Sequence, residues 1–326
     1  MDHITFNNTS VPKKIILKND VKEFGELQDG IVPVFSGKTA LVHVLHFFRS
    51  TGKLENKSAE ILVPPWIGYW VYMMMNTECF PTREDNSRVR GMLVYHQWGF
   101  PQRMEEILKF AKKRDFFIIE DCAHAFEGYY RGQRLGTFGD AAIFSMAKFF
   151  PCVVGGAVYS ADTSIRSFVN VRTKVGSLEK KLFNERKKTD EGKKALSLSQ
   201  QYAMYPNLGG CVPKALYIAR YSVAGGALQK RKQNVERLRR ELQPTDEFDL
   251  FEEGVIPWVV PIFFEKEMMR RVVKALAAVG VETGIYHFDI NRNILAPDYR
   301  ECVALPCHDG ISEKEISRMI DIVRSV

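Results

Sequence analysis

No CxxC pair occurs in this chain. Its six cysteines, Cys79, Cys122, Cys152, Cys211, Cys302 and Cys307, are scattered and mostly sit in apolar or enzyme-like surroundings. That usage argues against a zinc module and against a disulfide scaffold, and it implies a reducing compartment. Long hydrophobic runs are also missing. The longest aromatic and aliphatic stretch, Trp66 to Met75 with one glycine, is too short to span a bilayer, and MDHITFNNTS lacks the apolar region of a signal peptide. A dense basic arm is absent too: the formal charge is +7 over 326 residues, so nucleic-acid binding is not indicated and a small anionic substrate fits at least as well. No internal repeat or low-complexity tract appears. A soluble, cytoplasmic protein without a metal site or a membrane partner is expected.

What is present is an apolar content of 45%, enough for a large core and two domains, expected at 1–215 and 216–326. Strands and helices alternate through the first half. GIVPVF, AEILVPP, RGMLVYH and DFFIIED read as strands, while KTALVHVLHFFRS, IGYWVYMMMN and PQRMEEILKFAKKRD read as helices. Strands that are apolar on both faces and separated by helices indicate a parallel α/β sheet, with functional residues at the carboxyl ends of the strands. Asp121 and Ser36 fall at such ends.

After Ser160 the character changes. Residues 174–195 form a charged stretch that reads either as a solvated helix and loop or as a basic rim for a diphosphate substrate. LQKRKQNVERLRREL reads as a long connecting helix. The remainder, with strand VIPWVVPIFF, helix KEMMRRVVKALAAVG, a strand near ETGIYHF and a last helix SEKEISRMIDIVRSV, reads as a smaller α+β domain.

The densest chemical signal lies between Ile118 and Ser160, in IIEDCAHA, GTFGDAAIFSMAKFFP and VVGGAVYS. An acid at the exit of an apolar strand, followed by a lysine between apolar runs, is the layout expected of a pyridoxal 5'-phosphate (PLP) site. PLP requires an amine for Schiff-base formation and an anion that keeps its pyridine nitrogen protonated. Lys148 and Asp121 would supply them. The neighbours Phe144, Met146, Ala147, Phe149 and Phe150 would desolvate Lys148, lowering its pKa and favouring the nucleophilic neutral amine. Ser36, Gly37, Lys38 and Thr39 precede a helix whose N-terminal N–H groups can approach a phosphate, with the hydroxyls of Thr39 and Ser145 as additions. Gly37-Lys38-Thr39 is also the tail of a nucleotide-binding P-loop, but the leading glycine of that motif would fall at Val32, two residues from Gly30. Trp66, Tyr69 and Trp70 follow a strand ending over the cofactor, with Trp66 the favoured stacking partner for the pyridine ring and core packing the other reading.

The series SGKTAL (36–41), VPPW (63–66), YHQWGFP (95–101), residues 118–145, GGAVYS (155–160) and LPCHDGISEKEISRMIDIVR (305–324) resembles the PLP-dependent nucleotide-sugar aminotransferases of the DegT/DnrJ/StrS family, in order over nearly the whole chain. The resemblance implies PLP fold type I, the aspartate-aminotransferase-like architecture, in a homodimer with active sites at the subunit interface. It also implies amino transfer, usually from glutamate, to a keto sugar attached to a nucleotide, in amino-sugar or surface-polysaccharide biosynthesis. Ser145 precedes Lys148 by three positions, a shorter spacing than the commonest family pattern; it resembles a branch with SxxKxxP, which aligns Lys148 and Pro151. Val154 stands where an aspartate usually precedes the paired glycines. His124 occupies the position where many relatives carry glutamine to contact the cofactor's phenolic oxygen, a bond a histidine can also donate. His287, in HFDINRN (287–293), matches a region that approaches the substrate or the neighbouring subunit. The family's cross-subunit phosphate segment has its nearest counterpart in Tyr205-Pro206-Asn207. Dehydratases of the same fold replace the lysine with histidine, so Lys148 points to amino transfer. The alternatives are a catalytically silent binding or regulatory protein on this fold, and a PLP enzyme acting on a non-sugar carbonyl compound.

Overall fold

A computed structural model describes residues 3–11, 30–187, 203–243, 247–251 and 254–326. Seven strands form the central sheet: β1 (Ile31–Val34), β2 (Glu60–Leu62), β3 (Phe80–Thr82), β4 (Val89–Tyr95), β5 (Phe117–Cys122), β8 (Ala141–Ser145) and β9 (Gly156–Tyr159). Their order is β1-β9-β8-β5-β4-β2-β3, and every pairing is parallel except the two made by β9. β5 lies mid-sheet with all six residues buried, which is why it reads as an unbroken apolar run apart from its functional acids. A two-stranded hairpin, β6 (Tyr129–Tyr130) and β7 (Gln133–Arg134), stands apart from the sheet.

The helices α1 (Gly37–Ser50), α2 (Tyr69–Met75), α3 (Met104–Arg114), α4 (Thr163–Asn170) and α5 (Ser177–Lys187) connect or follow these strands. α1 begins where Ser36 leaves the extended conformation and its hydroxyl accepts the Thr39 N–H at 3.2 Å. Ten of its residues are buried, against β8 and β9 on one side and α2 and α4 on others. The charged stretch read from 174 onward forms α5 up to Lys187; residues 188–195 lie outside the described residues.

Helix α6 (Pro213–Ala224) spans position 215/216, and its Ala215, Ile218 and Ala219 belong to the apolar cluster of the large sheet. The connecting helix expected at 228–242 is α7 (Ala227–Leu242). Beyond it, β10 (Val259–Ile262), β11 (Ile285–Asp289) and β12 (Tyr299–Pro306) form an antiparallel sheet in the order β10-β12-β11; α7 and α8 (Lys266–Ala278) contact it, and α9 (Glu313–Ser325) packs against those two helices. The strand read as VIPWVVPIFF is therefore only four residues long, because Pro257 and the turn into α8 bracket it. A second apolar cluster fills this unit, drawing in Ile4 from the N-terminal segment, and a third, around Phe6, Trp98, Phe100 and Phe288, joins the two.

Candidate active site

In a parallel sheet the carboxyl ends of the strands share one edge, so the residues that end β1, β4, β5 and β8 meet there. Tyr95 on β4 is in register with Asp121 on β5, and Asp121 with Ile143 on β8. The antiparallel β9 starts at the same edge. A Cβ on Gly156 would lie 2.2 Å from the carbonyl carbon of Ser36, so only glycine lets this strand pass the start of α1. The result is a cavity of about 750 Å³ lined by, among others, Gly37, Lys38, Asp121, His124, Ser145 and Lys148.

Glu120, whose side chain points away from that edge, builds the loop that brings Lys148 back. Its carboxylate accepts the N–H groups of Gly136, Phe138 and Gly139 at 2.7–2.8 Å, and His96 Nε2 lies 3.1 Å away. The Gln102 N–H donates to His96 Nδ1, so His96 presents Nε2–H to the carboxylate.

Lys148 ends a 3₁₀ turn, Met146–Lys148, directly after β8. Its Nζ contacts His124 Nε2 and stands 4.5 Å from the centre of the Trp258 ring. Burial pushes the amine down to about 8; nearby Asp121 opposes the shift and Lys38 adds to it. Asp121 is 2% exposed and its Oδ1 accepts the Ala123 N–H at 2.9 Å. Burial holds its carboxyl above the usual range, while the Ala123 bond and Lys148 act in the opposite direction. His124 is held well below the ordinary histidine value, by burial first and Lys148 second, so the imidazole is neutral. Its Nδ1 lies 2.6 Å from the Tyr95 hydroxyl, and its ring lies flat on Trp258.

The other residues singled out in the sequence divide into two groups. Gly37 and Ser145 touch, a Cβ on the glycine coming 3.1 Å from the serine Cβ, and both line the cavity together with Lys38. Thr39 is fully buried and does not line it: its hydroxyl is 3.0 Å from Ser36 Oγ, completing the cap of α1. Trp66 and His287 are brought together, but on each other. Their rings stack at 4.3 Å and 5°, and neither is part of the cavity lining. Tyr69 and Trp70, from the same segment, are part of it. Val154 lines it as well, next to Val153, whose φ of 69° is a strained backbone for a β-branched residue.

Three residues at the site were not read from the sequence. Tyr95 lies within YHQWGFP, and its place at the end of an apolar strand beside Asp121 is a usable signal. Trp258 reads as one more apolar residue of a strand. Arg231 reads as a charge on an amphipathic helix, yet it is 1% exposed, donates to Trp258 O at 2.9 Å and approaches Lys148 O at 3.5 Å.

The sequence profile of the DegT/DnrJ/EryC1/StrS aminotransferase family matches residues 84–324, well over half of the chain and all of the segment from Asp121 through Lys148. The protein belongs to this family. A GDP-perosamine synthase from Escherichia coli O157:H7 is 38% identical over 81 residues, 24% of this chain and 22% of that protein. The dTDP-3-amino-3,6-dideoxy-alpha-D-galactopyranose transaminase from Aneurinibacillus thermoaerophilus is 34% identical over 128 residues, 38% of this chain and 34% of that one. The matched segments thus span about a third or less of these relatives' lengths. Helicobacter pylori PseC, an aminotransferase involved in the biosynthesis of pseudoaminic acid, superposes with a TM-score of 0.66 at 16% identity, over 90% of this chain and 86% of its own. That likeness establishes the fold, the PLP fold type I architecture expected from the sequence.

Proposed function

We propose that this family member is a PLP-dependent aminotransferase that moves an amino group, from glutamate, onto a keto sugar linked to a nucleotide. The observation that carries this reading is the Lys148 amine, buried beside His124 and Trp258 and held near pKa 8, on the same cavity as Asp121. The two relatives named above make nucleotide-linked amino sugars, which supports the substrate class.

The residues present fit PLP. A buried amine, a carboxylate at a strand end, and a glycine–serine contact at a helix N-terminus match its aldehyde, its ring nitrogen and its phosphate. When bound, PLP supplies an electron sink for the charge left on a substrate carbon. Lys148, largely protonated at pH 7 and increasingly neutral toward pH 8, can attack a carbonyl and later hold or release a proton at its Nζ. Asp121 provides the negative charge that keeps a cationic ring nitrogen protonated. His124, neutral and oriented by Tyr95, offers a hydrogen bond at the position facing Lys148. Gly37, Lys38 and Ser145 are assigned to the phosphate, with Thr39 acting through the helix cap. Trp66 and His287 are assigned to the approach, beside the lining residues Ile67 and Gly68. A cytoplasmic homodimer, divided near 215/216 into cofactor and small units, completes the proposal.

The test is the visible spectrum of the purified protein before and after glutamate, followed by borohydride trapping and peptide mapping. A yellow band that bleaches with glutamate and maps to Lys148 is expected. Lys148→Ala should lower turnover by about a thousandfold or more; full transaminase turnover in that variant would end the proposal.

A further inference from the structure

Residues 3–11 run from the small unit, where Ile4 joins its apolar cluster, to the large one, against which Val11 packs. On the way Asn7, Asn8 and Thr9 line the cavity. The segment is fastened on both sides of Asn7. Ile4 bridges to Val281, its N–H donating to Gly280 O at 3.0 Å and its carbonyl accepting the Glu282 N–H at 2.7 Å. The Phe6 N–H donates to Glu282 Oε2 at 2.7 Å, and the Phe6 ring lies 5.4 Å from that of Trp258. Asn8 uses both ends of its carboxamide: Nδ2 donates to Asp309 Oδ1 and Oδ1 accepts the Ser10 N–H, each at 3.0 Å. A Cβ on Gly310 would come within 2.9 Å of that oxygen, so the seat of Asn8 is shaped by a glycine.

Asn7 differs from its neighbour. Its Oδ1 accepts the Trp258 Nε1–H at 2.9 Å, and an indole nitrogen can only donate. The carboxamide must therefore turn its oxygen to the indole and its NH₂ to the other side. Trp258 is itself fixed from three directions: its N–H donates to Trp98 O at 2.7 Å, its carbonyl accepts from buried Arg231 at 2.9 Å, and its ring lies on His124. The Thr5 hydroxyl donates to Asn7 O at 2.6 Å and holds the main chain. Among the described residues nothing accepts from Asn7 Nδ2, and nothing bonds the Thr9 hydroxyl. An oriented donor of this kind on a cavity wall selects for an acceptor oxygen in the molecule that the cavity takes.

The charge of the wall narrows the class of that oxygen. The ionic lining groups Lys38, Asp121, Lys148 and Arg186 all come from the large unit, whereas residues 7–9 offer only amides and a hydroxyl. A carboxylate or phosphate is best met by a cation; neutral donors suit the hydroxyl and carbonyl oxygens of an uncharged ring. Position narrows it further. The indole that orients Asn7 also stands with its centre 4.5 Å from the Lys148 amine, so the selected oxygen belongs near the reacting carbon and not on a distant nucleotide.

We propose that Asn7 is a specificity-determining residue of this cavity, its Nδ2 donating to a hydroxyl or carbonyl oxygen on the sugar ring of the nucleotide-linked substrate. Trp258 fixes its aim and Thr9 adds a hydroxyl beside it. This deepens the proposed function and rests on it for the presence of a sugar.

The experiment measures ligand binding to cofactor-free protein by thermal shift. The probes are uridine, guanosine and thymidine diphosphates, each free and carrying glucose. In the wild type at least one nucleotide sugar should bind about tenfold or more tightly than its free diphosphate. Asn7→Asp keeps an oxygen for the indole and loses the donor. It should stay folded with a Tm close to the wild type and lose that sugar-dependent gain. Asp309→Ala, which loosens the seat of Asn8 without removing the Asn7 donor, should lower the Tm and keep the gain.

An Asn7→Asp protein that retains the full gain overturns the proposal. So does one in which sugar-bearing and free diphosphates weaken equally, since that is repulsion by the new charge. If no nucleotide sugar outbinds its diphosphate in the wild type while PLP is still trapped at Lys148, the sugar contact falls and the aminotransferase reading stands. If no aldehyde is trapped at Lys148 but the gain depends on Asn7, the aminotransferase reading falls and the sugar contact stands.

Discussion

The imidazole of His124 lies on the indole of Trp258 with ring centroids 4.2 Å apart and planes within 1°. The Lys148 amine stands 4.5 Å from the centre of the same indole, whose Nε1 donates to Asn7 Oδ1 at 2.9 Å. One side chain from the lead into β10 thus sets the plane of a histidine on the large sheet and walls in the candidate nucleophile. Trp258→Phe keeps a flat ring but loses the bond to Asn7, and should cost about 1 kcal/mol of stability with the site intact. Trp258→Ala removes the ring, and should cost about 3 kcal/mol and weaken cofactor retention. Chemical denaturation and PLP titration of both variants check this ordering.

Tyr95→Phe removes the only O–H that faces His124 Nδ1, among the partners of that ring seen in the described residues. The buried nitrogen is left without a partner, so a loss of about 1–3 kcal/mol is expected. Without the hydroxyl the imidazole is free to exchange its proton between nitrogens, and the pH profile of cofactor binding should change in shape as well as height. An unchanged profile with lowered stability would limit Tyr95 to packing.

The Lys148 amine should also leave a trace in stability against pH. Its value is about 8 in the folded protein against a usual 10.5. Between those two values the unfolded chain holds a proton that the folded one has released, so stability gained from this group rises with pH across that window. Below about pH 8 both states are protonated and the penalty of burying the charge is constant. Lys148→Met in cofactor-free protein should therefore be more stable than wild type at pH 7, by an amount on the order of a few kcal/mol, with the gap narrowing toward pH 10. Denaturant midpoints at several pH values read this directly.

Glu120→Gln tests the frame that carries Lys148. Three backbone N–H groups and His96 Nε2–H point at the two carboxylate oxygens. An amide NH₂ in place of one oxygen faces donors with a donor, so a loss of about 2–4 kcal/mol is expected. Loosened residues 136–139 should show faster amide hydrogen exchange than the rest of the sheet.

The chain's local pattern was enough to order β1, α1, β2, α2, β4, α3 and β5, because a strand buried on both faces and a helix with one buried face leave different periods in the sequence. It was enough to set Asp121 and Ser36 at strand ends on one edge, because a parallel sheet delivers its strand ends there whatever the lengths of the connections, whereas Lys148 and Ser145 followed from the acid-then-lysine layout and the family resemblance. The α6 helix escaped, since its apolar residues follow a proline and carry little contrast between faces.

Which distant groups complete the site could not be read that way. Trp258 and Arg231 lie more than eighty residues beyond Lys148 in sequence, and Tyr205 lies far from Lys38, yet each ends within contact of its partner. Periodicity reports that a residue is buried, but the identity of its neighbour depends on how the small sheet and α5 dock on the large one. The pairing of Trp66 with His287, away from the cavity lining, has the same origin: β11 presents His287 to the segment after β2 only once the two sheets are packed. Strand-end chemistry was therefore a property of the local sequence, while the walls around it were decided by long-range packing.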